Sequence, residues 1–110
     1  MIKKFAPAIK GLLDGFQHPA IRLQWVLACL TILAGIILHL EFQEWCFVLI
    51  AIGMVLVAEV FNTCVEKLCD LYSLEQNEKI RAIKDLSAGS VLIASLMALV
   101  LAIIILLRHI

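Results

Sequence analysis

The stretch 86–107, LSAGSVLIASLMALVLAIIILL, contains no charged side chain. As a helix rising 1.5 Å per residue it is about 33 Å long, enough to cross the roughly 30 Å hydrocarbon core of a bilayer. A second apolar stretch, 23–40 (LQWVLACLTILAGIILHL), has a comparable reach. The composition agrees, because a chain of 110 residues with 64% hydrophobic content and a mean hydropathy of +1.06 has more apolar surface than one small soluble core can hide. The expectation is an all-α membrane protein formed by a single domain, 1–110. Nine basic and nine acidic side chains cancel, so no overall charge recommends nucleic acid as a partner. Cys29, Cys46, Cys64 and Cys69 lie in or beside apolar runs without metal-type pairing, and they read as buried thiols.

Between these two spans, the uncharged run 46–58 gives only about 20 Å of helix. A spanning helix here must therefore extend to about residue 71 and carry polar side chains into the boundary of the membrane. Ahead of the first span, Ile9, Leu12, Leu13 and Phe16 recur at helical spacing with Lys10, Asp14 and Gln17 elsewhere on the wheel. This predicts an amphipathic helix over about 7–18 lying in the membrane surface, with Pro7 near its start and Pro19 ending it. Lysine and aspartate interrupt any signal-peptide core. HLEFQEW reads as a short outer turn with Trp45 at the interface. Ser73 and Gln76, at capping-box spacing, predict a short helix outside the bilayer before the third span. Lys3, Lys4, Lys10 and Arg22 precede the first span and Lys67, Lys79, Arg81 and Lys84 occupy the second connection, whereas the first connection has no basic residue but histidine. The positive-inside rule then predicts a multi-pass protein of the cytoplasmic (inner) membrane, with the N-terminus cytoplasmic and the C-terminus outside.

The middle span carries its acids in an ordered way. With Glu59 at zero on a helical wheel, Asn62 falls at about −60°, Glu66 at about −20° and Asp70 at about +20°, which makes one stripe. Glu59 lies about 20 Å and Glu66 about 30 Å from the outer boundary, so the stripe runs from within the inner leaflet to its surface. Intramembrane carboxylates are costly and mark ion paths, proton relays or catalytic sites. The competing explanation is a helix end paired with Lys or Arg of a neighbouring subunit. Across the second connection, Lys84 and Asp85 precede the small residues Ser87, Ala88 and Gly89. Alone they are a snorkelling anchor and a helix-start acid; opposite the stripe they supply a cation for phosphate and a further acid. The chain has no Gly-rich phosphate loop, so a nucleotide would be held by side chains and a metal ion.

The segment AEVFNTCVEKLCDLY, with KDLSAGSVLI beginning fourteen residues after Asp70, closely resembles the small bacterial integral-membrane lipid kinases, prokaryotic diacylglycerol kinase and the undecaprenol kinases of the same fold. Their pattern E-x-x-N-[ST]-x-x-E-x-x-x-D falls on Glu59, Asn62, Thr63, Glu66 and Asp70. The following K-D with small residues and a valine falls on Lys84, Asp85, Ser87 to Ser90 and Val91. The resemblance implies a homotrimer of three-span subunits, each with a surface helix, and transfer of the γ-phosphate of ATP to the hydroxyl of a membrane lipid with Mg²⁺. It implies Glu59 as general base, Glu66 and Asn62 holding metal and phosphate, and Asp70, Glu75, Lys84 and Asp85 on the nucleotide side. Where the family often has E-x-H, this chain has Glu75, Gln76 and Asn77. Where the family commonly has a metal-binding glutamate, in a stretch like E-R-N-F-R-I-H, this chain reads HPAIRLQ and places His18. Imidazole suits Mg²⁺ less well than a carboxylate, so His18 reads more simply as a residue at the end of the surface helix. Between the two lipids, the length and the KDLSAG variant lean toward undecaprenol. A different function class, a small proton-coupled exporter, would use one intramembrane glutamate but predicts four spans and a glutamate in the first.

Overall fold

The protein was analysed as a computed structural model that describes residues 2–75 and 77–110. These residues form four helices: α1 (Ile2–Gly15), α2 (Pro19–Leu38), α3 (Phe42–Tyr72) and α4 (Glu78–Arg108). The last three are long and apolar enough to cross a membrane. Most of their large apolar side chains face outward, among them Leu33, Ile37, Ile93 and Leu107. A soluble protein would bury such side chains, whereas lipid or a neighbouring helix solvates them, so the fold is that of a membrane protein.

α1 begins earlier and ends earlier than its sequence pattern predicts. It starts at Ile2, so Pro7 lies inside it and withholds one N–H from the helical ladder, and it stops at Gly15. A turn follows, in which the N–H groups of Phe16, Gln17 and His18 donate to the carbonyls of Leu13, Asp14 and Gly15. His18 consequently belongs to the next element. It is the N-cap of α2 in extended conformation (φ −91°, ψ 123°), followed by Pro19 in the first helical turn. Phe16 stacks on Trp25 with ring centroids 5.7 Å apart, which ties the turn to α2.

The outer connection is tight for two local reasons. His39 takes a left-handed conformation (φ 55°, ψ 59°), and the N–H groups of His39 and Leu40 close on the carbonyls of Ile36 and Gly35. Gly35 is the point of closest approach, where an added Cβ would sit 2.7 Å from the Trp45 ring and 2.9 Å from Leu40. α3 then opens with a reciprocal capping box between Glu41 and Glu44.

The inner connection departs from expectation. The separate short helix predicted from Ser73 and Gln76 does not form. Ser73 is the C-cap of α3, and its hydroxyl accepts from the N–H of Glu75 at 3.1 Å, while Gln76 lies outside the described residues. Asn77 caps the following helix instead, its side-chain oxygen accepting from the N–H of Lys79 at 2.8 Å. From there α4 runs unbroken through Arg108. A 31-residue helix is about 46 Å long, so α3 and α4 each exceed the roughly 30 Å core by several turns. α4 packs mainly on α3, and α2 packs on α3 to a lesser extent.

Candidate active site

Heptad-like spacing along α3 puts Val48, Val55, Glu59, Asn62 and Cys69 on its buried face. The apolar members pack as in any helix pair. The polar members do not fit that description, since Glu59 is only 6% and Asn62 only 8% exposed. Asn62 donates from Nδ2 to Glu66 Oε1 at 2.9 Å, a contact made possible because residues four apart stack on one helix face. That bond fixes the amide and leaves its other end, Oδ1, buried without a hydrogen-bond partner. A buried acceptor left unmade costs about 1–3 kcal/mol, so the position is one that a donor or a cation would stabilise.

From Asn62 the stripe proceeds toward the exposed end of α3. Glu66 and Asp70 are exposed, and Asp70 Oδ1 receives the ammonium of Lys84 at 2.8 Å across the connection. Glu59 to Asp70 is eleven residues, or about 16 Å of helix. The arrangement is thus a polar track that begins at a buried carboxylate and ends at an exposed acid and a half-buried cation. Thr63 spends its hydroxyl locally, donating to the Glu59 carbonyl at 3.0 Å. Asp85, next to Lys84 on α4, and Glu75, in the connection, are both exposed and reachable from water. His18 stands at the start of α2, where its side chain makes no capping hydrogen bond.

Oxygen donors define what a cation here could be. Asn62 Oδ1 and the Glu66 carboxylate are hard ligands of the kind Mg²⁺ takes, and Mg²⁺ commonly uses only one or two carboxylates together with substrate phosphates. Among the described residues, no group of three or more His, Cys, Asp and Glu side chains converges as a metal cluster. The donor set therefore suits a metal that arrives with a phosphorylated substrate rather than a closed structural site.

A second charged constellation, at the opposite end of α3, was missed by sequence reasoning. Glu44 is the most buried charged side chain, 2% exposed. Its carboxylate accepts from the N–H of Glu41 at 2.9 Å, meets His109 Nε2 at 2.9 and 3.0 Å through its two oxygens, and lies 3.7 Å from Arg108. Arg108 also reaches Glu41 at 3.7 Å. The spacing Glu41-x-x-Glu44 was the available signal, since it is a capping-box spacing; the partners on α4 gave none.

A helical membrane protein of three spans, with an acid and amide track leading from inside one span to a half-buried lysine paired with an exposed acid, is the class that fold and site define. A profile of the prokaryotic diacylglycerol kinase family matches residues 6–106, and the chain belongs to that family. It is similar to the undecaprenol kinase of Bacillus subtilis (strain 168), with 28% identity over 78 residues. That match covers 71% of this chain and 63% of the relative, so the chain spans less than two thirds of the relative's length.

Proposed function

We propose that the protein is a lipid kinase that transfers the γ-phosphoryl group of ATP to the hydroxyl of a membrane lipid. Family membership supports the class, and the observation that carries the chemistry is the polar track from buried Glu59 to the exposed Asp70–Lys84 pair. A lipid hydroxyl lies near the depth of Glu59, while a nucleotide must come from water, and the track joins those two places.

In this reading the lipid hydroxyl gives its proton to the Glu59 carboxylate as its oxygen attacks the γ-phosphorus. The new O–P bond forms as the bond to the β-phosphate oxygen breaks, and ADP leaves with that electron pair. Asn62 and Glu66 would hold Mg²⁺, which would neutralise charge on the transferring group. Asn62 contributes Oδ1, already oriented by its bond to Glu66. Lys84 exchanges Asp70 for a phosphate oxygen, and Asp70, Glu75 and Asp85 contact the nucleotide. His18 takes no part as a metal ligand.

The same reading places the inner ends of α3 and α4 on the cytoplasmic side, where ATP is, with the N-terminus cytoplasmic and the C-terminus outside the inner membrane. The basic residues Lys67, Lys79, Arg81 and Lys84 near that connection support this orientation. α1 lies in the membrane surface with Phe5, Ile9, Leu12 and Leu13, all exposed, toward lipid. The outward-facing apolar surface of α2 to α4 leaves room for a homotrimer. Undecaprenol is the favoured lipid over diacylglycerol, in keeping with the similarity to an undecaprenol kinase.

The test is transfer of label from γ-labelled ATP, with Mg²⁺, to undecaprenol and in parallel to diacylglycerol by purified protein in mixed micelles. Labelled lipid is expected, with more from undecaprenol. Failure to label either lipid by folded protein overturns the kinase, and preferential labelling of diacylglycerol overturns the choice of lipid.

A further inference from the structure

The side of α3 turned away from the acid stripe is apolar to its very end. On a wheel with Glu59 at zero, Phe61, Leu68 and Tyr72 fall at about −160°, 180° and −140°, and Leu71 at about 120°. Phe61 and Leu68 are exposed, as on a surface that lipid solvates. Leu71, Tyr72 and, in the connection just beyond the helix, Leu74 are 83 to 85% exposed, so the described helices leave these three large side chains bare. Water is a poor solvent for such a cluster, and its depth decides what covers it.

Two side-chain pairs act as a ruler for that depth. Glu44 meets His109 at one end of the α3–α4 pair, and Asp70 meets Lys84 at the other. From Glu44 to Asp70 is 26 residues and from Lys84 to His109 is 25, about 39 and 38 Å of helix rise, so the two helices run antiparallel in step. The uncharged stretch of α4 starts at Leu86, two residues inward from Lys84, and the matching level on α3 is Leu68, two residues inward from Asp70. Leu71 and Tyr72 therefore stand about 5 and 6 Å past the hydrocarbon edge, within the roughly 5–8 Å that the headgroup region adds on each side of a bilayer.

The aromatic ends of α3 agree. Phe42, also exposed, opens the helix and Tyr72 closes it, 30 residues or about 45 Å apart. A bilayer with both headgroup regions is about 40–45 Å thick. Tyrosine suits that level, having an apolar ring and a polar tip. Around the cluster, Lys67, Lys79, Arg81 and Lys84 are balanced by Asp70, Glu75, Glu78 and Asp85, so apolar insertion rather than net charge is what this surface offers. Its apolar face is continuous with the lipid-facing band of α3 below it.

We propose that Leu71, Tyr72 and Leu74 form a wedge that inserts into the lipid headgroup layer and holds the connected ends of α3 and α4 at the membrane surface. The partner is the bilayer itself, and neither the wedge nor its test depends on the kinase reading.

The experiment places the photoreactive residue p-benzoylphenylalanine at Tyr72, at Leu74 or, as a control, at Glu78 in the full-length protein, reconstituted in vesicles of tritiated phosphatidylcholine and illuminated. Glu78 is exposed too, but on α4 it lies eight residues before Leu86, about 12 Å past the hydrocarbon edge. Label on the protein is expected to be about fivefold or more higher from positions 72 and 74 than from position 78. Equal labelling from all three overturns the proposal, because the cluster then stands in water. Chain-to-chain adducts outnumbering lipid adducts at positions 72 and 74 overturn it as well, and assign the face to a second copy of the chain. Should the chain altered at Tyr72 fail to fold, position 74, in the connection, decides the matter by the same comparison.

Discussion

The two ends of α3 each hold buried acid chemistry, and they treat it in opposite ways. At the Phe42 end, Glu44 is saturated by a backbone N–H, an imidazole and a guanidinium. At the Tyr72 end, Asn62 is bonded through its amide nitrogen while its oxygen has no partner among the described residues, and Lys84 pairs with an exposed acid. A saturated buried carboxylate has nothing left to offer a ligand, and its partners fix α3 to the end of α4. An unsatisfied acceptor in a row of acids is poised for something that is not part of the chain. Burial alone does not distinguish the two sites, because Glu44 is more buried than Glu59.

The sharpest way to break this comparison is Glu59→Gln, which keeps size and polarity but removes the carboxylate proposed as the base. Phosphoryl transfer is expected to fall by about 10²–10⁴ with the thermal midpoint unchanged, and activity near wild type would remove Glu59 from the chemistry. Next in size is Lys84→Met. If Lys84 is the phosphate donor proposed, its loss should raise KM for ATP about tenfold or more, with KM for lipid unaffected. An unaltered ATP KM would leave the Asp70 pair as a purely structural contact.

The outer end should respond in the other currency, stability. His109→Ala deprives Glu44 of its closest side-chain partner, so the protein should unfold several degrees lower in detergent while kcat of the folded fraction stays the same. A loss of kcat without loss of stability would erase the distinction between the ends. Gly35→Ala, at the tight outer connection, should cost about 1–3 kcal/mol because the new methyl meets the Trp45 ring. Denaturant titration measures this, and an unchanged stability would show that Trp45 moves aside freely.

Much of this was legible beforehand because it depends on neighbours in sequence. The stripe Glu59, Asn62, Glu66 and Asp70 follows from helical periodicity, and the Asn62 to Glu66 bond is a contact between residues four apart. Local signals also misled. Ser73 and Gln76 have capping-box spacing, yet Asn77 is the residue that caps α4, and the third spanning helix is correspondingly longer at its start. His18 follows α1 closely in sequence, but Pro19 starts a new helix and makes His18 its cap. In each case a competing cap or proline next along the chain decided the boundary.

By itself the sequence determined that three helices cross a membrane and that one of them carries an ordered acid face, since hydropathy, length and a 3.6-residue period are properties of a single segment. Only the tertiary structure decided which acid is saturated. The partner of Glu44 is 65 residues away along the chain, at the end of α4.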